Sequence, residues 1–160
     1  MRLTSFSDYA LRALMYAHAR EGRLVTIEET ANTYGISRAH LMKVVNILTR
    51  EGFLRGVRGR SGGFTLARPA SEINLGAVVR ATEPDFALVE CFNPANRCAI
   101  ASVCSLPVIL NEALGAFAAV LDRHTLADIA LVPADFALPK DEPAPRRGPY
   151  LTEAPEEAAG

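Results

Sequence analysis

Phe6, Tyr9, Ala10, Ala13, Leu14 and Ala17 recur at three- and four-residue intervals, the spacing that lines up side chains on one face of a helix. Ser5 stands where a cap for that helix belongs, and Asp8, three residues on, suits its positive end. Gly22 marks its finish. Thr26-Ile27-Glu28-Glu29 has the form of a capping box and opens a second helix, which runs to Tyr34 and stops at Gly35. Ser37 is expected to cap a third helix, with Leu41, Val44, Val45 and Leu48 on its apolar face and Gly52 past its end. Two short capped helices joined by a glycine-containing turn predict a helix-turn-helix.

The period then changes. Phe53–Val57 and Phe64–Ala67 read as two strands, joined by Arg58-Gly59-Arg60-Ser61-Gly62-Gly63. A hairpin directly after the third helix is placed as a wing. Pro69 breaks the chain, and Ile73, Leu75, Val78 and Val79 predict a short helix ended by Glu83-Pro84. Residues 85–104 show no periodicity. From Leu106, the residues Ile109, Leu110, Ala113, Leu114, Phe117, Val120 and Leu121 form a long apolar stripe, and Thr125–Ile129 predicts one last helical turn. A helix so apolar, late in a small chain, needs a covering surface. A second copy of the chain is the simplest one, its own winged helix the alternative. Beyond Val132, Pro133, Pro139, Pro143, Pro145, Pro149 and Pro155 stand among acidic and small residues, the composition of a disordered tail.

The expected fold is therefore mainly α with a small β-hairpin wing. A winged helix-turn-helix occupies 1–84 and an irregular cysteine loop 85–105. A dimerisation helix and its end take 106–132, and a tail 133–160. With 160 residues, 49% of them hydrophobic, the chain has enough apolar material for one compact core plus a dimerising element. It has no apolar run near the roughly 20 residues of a membrane span. Its opening residues lack a signal-peptide core, so a cytoplasmic location is expected.

Charge sharpens this picture. Residues 1–70 carry eleven Lys and Arg against five Asp and Glu, a net +6. Residues 71–160 carry six against thirteen, a net −7, which together give the chain's −1. The basic half coincides with the helix-turn-helix, as a surface for a polyanion requires. In the opening turn of the third helix, Arg38 is suited to donate two bonds to a guanine, and His40 to meet base or backbone. Ser37 and Lys43 suit phosphates. On the hairpin, Arg55, Arg58 and Arg60 stand among glycines that let backbone approach closely, and arginine suits the narrow minor groove. Replacing Arg60 by alanine is expected to weaken binding to every sequence and to flatten its salt dependence.

All three cysteines lie close together, as Cys91-x6-Cys98-x5-Cys104. An odd count clustered in one loop is unlike a disulfide framework. No pair is two to four residues apart, as structural zinc sites favour, and no histidine is near. The wide spacing suits a loop wrapped around an iron–sulfur cluster, with one iron left for a ligand other than cysteine. Thiol redox sensing without metal, zinc and inert thiols remain open readings of the spacing. His18, His40 and His124 are scattered, and the sequence holds no catalytic triad, phosphate loop or hydrolase motif, so an enzyme is not expected.

The segments Leu3-Thr4-Ser5-Phe6-Ser7-Asp8-Tyr9-Ala10-Leu11-Arg12-Ala13-Leu14 and Tyr34-Gly35-Ile36-Ser37-Arg38-Ala39-His40-Leu41 resemble a family of bacterial winged-helix iron–sulfur regulators. The wing Val57–Gly63 and the cysteine loop resemble it too, and the likeness runs from residue 1 to about 132. It implies a homodimeric repressor bound to a palindromic operator in double-stranded DNA. The implied cofactor is a 4Fe–4S cluster, with 2Fe–2S as the alternative form, held by Cys91, Cys98 and Cys104. The cluster-assembly branch of the family carries a histidine three residues after the last cysteine, where this chain has Pro107. In the nitric-oxide-sensing branch an aspartate from the partner subunit's first helix completes the site, and Asp8 stands at the matching position. Arg12 would then orient that carboxylate. Read without the resemblance, Asp8 is simply a helix-start carboxylate paired with Arg12 four residues on. The branch implies that nitric oxide acts at the cluster, DNA affinity falls and nitrosative-stress genes are derepressed. An iron signal to the same cluster is the alternative.

Overall fold

The computed structural model describes residues 3–59, 62–93 and 95–137. Helices α1 (Ser5–Ala19), α2 (Ile27–Tyr34) and α3 (Arg38–Arg50) are followed by strands β1 (Leu54–Val57) and β2 (Gly63–Leu66). Then come α4 (Leu75–Thr82), an irregular segment, and the long α5 (Leu106–Asp122). Short 3-10 turns lie at Ala70–Glu72, Glu90–Phe92, Leu126–Ile129 and Pro133–Ala137.

Helix α2 starts and stops as its sequence predicts. The Thr26 hydroxyl accepts from Glu29 N at 3.0 Å, and the Glu29 carboxylate reaches back to Thr26 N. At its far end Gly35 turns left-handed with φ 64°, and Ile36 N donates to Ala31 O. The two bonds at α2's start satisfy amides that a helix otherwise leaves without partners. Helix α3 ends the same way. Gly52 has φ 73°, its N–H reaches Thr49 O, and Phe53 N reaches Leu48 O at 2.9 Å. The Phe53 N–H is thus committed to closing α3, while its carbonyl accepts from Ala67 N at 3.0 Å across the hairpin, just outside the first strand at Leu54. Register pairs Leu54 with Leu66 and Val57 with Gly63, so the second strand is Gly63–Leu66 and Ala67 falls outside it.

Two caps differ from expectation. Ser5 is the first residue of α1, not its cap. Thr4 is the N-cap, and its side chain makes no capping bond within the helix. Ser37 does cap α3 by position, with no side-chain cap bond. Ile73 lies in an extended turn before α4 and plugs the core there, while Asn74 caps α4 by accepting from Ala77 N at 2.9 Å.

The core gathers around α1, whose buried face is mostly alanine: Ala10, Ala13 and Ala17 beside Leu14. Small side chains there let α3 lay Leu41, Val44 and Leu48 closely against it. Phe64 from β2, Val78 from α4, Ile73 and Leu126 complete the same cluster. The hairpin is moored by a two-way bridge, Val25 N to Phe64 O at 2.9 Å and Phe64 N to Val25 O at 2.8 Å.

Residues 133–137, expected to open a disordered tail, are folded instead. Pro133–Ala137 forms a turn that returns Phe136 to α1, where its ring meets Tyr16 edge-on at 5.1 Å and Tyr34 at 6.1 Å. An aromatic pair of this kind adds about 0.5–1.5 kcal/mol beyond area burial, and Phe136 makes two such contacts. Residues 138–160, the rest of that expected tail, lie outside the described residues. No helix among the described residues is long and apolar enough to cross a membrane.

Glu29 joins the α2 cap to α1. It accepts from Tyr16 Oη at 2.9 Å and pairs with Arg23, Nη1 to Oε2 at 3.1 Å. The Arg23 hydrogen bond, helped by Tyr16 and the Thr26 amide and opposed by burial, lowers the Glu29 pKa from 4.5 to about 2. A carboxylate held lower in the folded chain stabilises the fold above its ordinary pKa and stops doing so as pH falls through the folded value. We expect urea midpoints to fall between pH 4.5 and 2, and Glu29→Gln to flatten that fall while lowering the midpoint at neutral pH.

Candidate functional site

Helix α3 buries Leu41, Val44, Val45 and Leu48 and turns its opposite face outward. Ser37, Arg38, His40 and Lys43 are all exposed. Arg55 and Arg58 are exposed on the hairpin. Arg60 lies outside the described residues. A groove runs between the two elements, lined by Arg38, Asn46 and Thr49 of α3 and by Gly56, Arg58 and Gly59 of the hairpin. The hairpin's turn depends on glycine at two points. Gly59 has φ 122°, and a Cβ on Gly62 would stand 2.5 Å from Val57 O. The structure therefore brings Arg38 and Arg58 to one groove, while His40 lies apart from it, in a pocket with Thr4, Ser5, Phe6 and Tyr9.

Asn46 and Met42 were not singled out by sequence. Both are exposed on the same face, Met42 47% so, and Asn46 borders the groove. Their signal was the helical period itself, since Arg38, Met42 and Asn46 follow at four-residue steps on the side away from the apolar stripe. Asparagine suits adenine and an apolar side chain suits the thymine methyl.

The cysteine loop is built otherwise. Cys91 lies in the 3-10 turn Glu90–Phe92, and Cys104 directly precedes Ser105, the N-cap of α5. Both are half-buried, Cys98 between them is exposed, and all three are free thiols. Polar contacts shape the intervening turn: Ala95 N donates to Asn93 Oδ1 at 2.9 Å and Cys104 N to Ile100 O at 3.0 Å. Among the described residues of one chain, no three His, Cys, Asp or Glu side chains converge as a metal-ion site.

Asp8 and Arg12 form the ion pair that four-residue spacing predicts, Nε to Oδ1 at 2.8 Å. The pair is half exposed, so it adds little to stability. Its geometry matters more. The Arg12 guanidinium also stands 5.7 Å over the Tyr34 ring, and Tyr34 Oη donates to Arg12 O at 3.1 Å. Burial raises the Tyr34 pKa to about 12, so it remains a phenol and a donor. Asp8, Arg12 and Tyr34 thus connect the start of α1 to the end of α2, immediately before the turn into α3.

Helix α5 buries none of its residues in the single chain. Val108 is 70% and Ile109 60% exposed. Its far end is secured to α4. Arg80 Nη2 meets Asp122 Oδ1 at 2.7 Å, and Asn74 Nδ2 donates to Asp122 O at 2.7 Å.

A three-helix domain with a hairpin wing and a cationic, exposed third helix defines a winged-helix DNA-binding regulator. The family described as "Rrf2: Iron-dependent Transcriptional regulator" matches residues 3–131. The chain belongs to that family, as a transcriptional regulator of the NsrR type. It is 49% identical over 131 residues to the HTH-type transcriptional regulator NsrR of Bacillus subtilis (strain 168), covering 81% of this chain and 90% of that one. It is 45% identical over 133 residues to the NsrR of Bacillus licheniformis, covering 82% and 93%. Among solved structures, T. potens IscR superimposes with a TM-score of 0.63 at 24% identity, covering 81% of this chain and 85% of the other, a likeness of fold.

The cationic surface gives a quantitative expectation. Arg58→Ala should weaken binding to specific and unrelated DNA alike and lower the slope of log affinity against log salt by about 1. A change at one sequence only, with the slope intact, would make Arg58 a base reader instead.

Proposed function

We propose that this chain is a homodimeric repressor whose hold on a palindromic operator depends on a 4Fe–4S cluster and is released by nitric oxide. The observation that carries the reading is the placement of three free thiols on one loop, between the DNA-binding domain and an uncovered apolar helix. The donor set fits such a cluster: the thiols lie too far apart along the chain for a small zinc knuckle, and no disulfide joins them. Cys91, Cys98 and Cys104 would hold it, with Asp8 of the partner subunit as fourth ligand. When bound, the cluster supplies iron with one oxygen ligand, the point most open to a small reactive molecule.

The chain's own residues supply the rest. Exposed Val108 and Ile109 on α5 would be covered by the same helix of the partner, which fixes the distance between the two α3 helices. Arg12 Nε holds the Asp8 carboxylate and the Arg12 guanidinium leans on Tyr34. A change in what Asp8 binds therefore alters a contact that reaches the turn before α3. Regulation needs no more than two arrangements of these contacts, one favoured while Asp8 is engaged across the dimer.

Iron and sulfide analysis of anaerobically purified protein tests the reading. The expected result is four irons and four sulfides per chain with a brown chromophore, bleached by nitric oxide. Protein purified without iron or sulfide that forms a reversible Cys98 disulfide would establish the thiol-redox reading in its place.

A further inference from the structure

Glu83 is the residue after α4, in extended conformation with ψ 134°. Its carboxylate does not face solvent alone. Oε1 accepts from Thr4 N at 2.9 Å, from Thr4 Oγ1 at 3.1 Å and from Ser7 Oγ. Ser7 is fully buried, and its Oγ lies 2.8 Å from Thr82 Oγ1. Glu83 therefore holds the N-cap residue of α1 from 79 residues away, through the Thr4 amide and hydroxyl and the Ser7 hydroxyl. An anionic group suits this end of the helix, where amides lack partners and the dipole is positive.

Two things meet at this carboxylate. Asp8 directly follows Ser7, and its own N–H closes the first turn onto Thr4 O at 3.2 Å. On the other side, the chain leaving Glu83 leads into the cysteine loop and reaches Cys91 eight residues later. We propose that Glu83 is a positioning residue for Asp8, tying the turn that presents this ligand to the partner to the segment that presents the same chain's cysteines. The inference rests on the reading of Asp8 as a cluster ligand across the dimer. Arg12 fixes the carboxylate of Asp8, and Glu83 fixes the backbone from which it projects.

A double-mutant cycle on the full-length dimer tests this. Wild type, Glu83→Ala, Asp8→Ala and the double variant are loaded with cluster anaerobically. Iron loss to EDTA is timed and visible circular dichroism recorded. Glu83→Ala should speed iron loss by about tenfold, the scale of losing an outer partner of a metal ligand, and should shift the spectrum toward that of Asp8→Ala. In the Asp8→Ala background it should add nothing. Equal acceleration in both backgrounds would make Glu83 a structural residue only and overturn the proposal. If Asp8→Ala alone keeps the wild-type spectrum and rate, the ligand reading fails and takes the proposal with it, in an arm that leaves Glu83 unchanged. Hydrogen exchange on cluster-free protein provides a second readout. Glu83→Ala should raise exchange in the first turn of α1 and leave α3 protected. Should that variant unfold, Glu83→Gln keeps the acceptor oxygen without the charge, and the same cycle is read with it.

Discussion

Serine in place of Cys98 leaves a folded, colourless protein that no longer binds its operator tightly. Cys98 is exposed and packs against nothing in the core, so the exchange of sulfur for oxygen should change stability by no more than about 0.5 kcal/mol. Its chemistry changes entirely. A thiol loses its proton to solvent as it binds iron, whereas a serine hydroxyl keeps its proton and offers a hard oxygen. Cys91→Ser and Cys104→Ser should bleach the protein too, but both residues are half-buried beside ordered elements, so Cys98 separates cluster loss from misfolding most clearly. Asp8→Ala is expected to be milder, because in the proposed ligand set its oxygen would be the weakest donor. The checks are iron content, visible absorbance and thermal midpoint on the same preparation. A Cys98→Ser protein that kept full colour would remove that residue from the ligand set.

Gly63→Ala should damage fold and DNA binding together. A Cβ at Gly63 would stand 2.5 Å from Val25 O and 3.0 Å from Val25 C, both backbone atoms with little room to move. Val25 is also the residue whose N–H and carbonyl moor Phe64, so relief of the clash means opening that bridge. Overpacking of this kind costs about 1–3 kcal/mol. Because Phe64 is buried while Arg55 and Arg58 ride on the same hairpin, the arginines lose their register against α3. Operator affinity should fall further than the stability loss alone explains, at a temperature where the variant is still folded. Affinity equal to wild type under those conditions would show that the hairpin's seat does not matter to DNA binding.

The features legible in sequence are those written within a few residues of one another. The Thr26 box, the stripe of Leu41, Val44, Val45 and Leu48, the Gly35 and Gly52 stops and the Asp8–Arg12 pair all follow from helical spacing. What stayed hidden depends on partners far along the chain. Nothing near Glu83 in sequence marks its bonds to Thr4 and Ser7, and Ser5 is the local candidate for the cap of α1. Phe136 sits in a composition typical of disorder, yet finds two tyrosine rings on the first two helices. Asn74 has the form of a local cap and is one, but it also reaches the carbonyls of Asp122 and His124, which fixes α5 on the domain. For the site, spacing picked out the cysteines and the cationic residues of α3 and the hairpin. Spacing gave no reason to join Asp8 to the cysteines, and that link came from resemblance to a family alone.

In the proposed mechanism, cluster occupancy sets operator affinity. Titrating one palindromic operator with cluster-loaded and with cluster-free protein, anaerobically and at a single salt concentration, measures it directly. The loaded dimer should bind at least about tenfold more tightly, a coupling near 1.4 kcal/mol, and nitric oxide should bring it to the cluster-free value. Equal affinity of the two forms would contradict it.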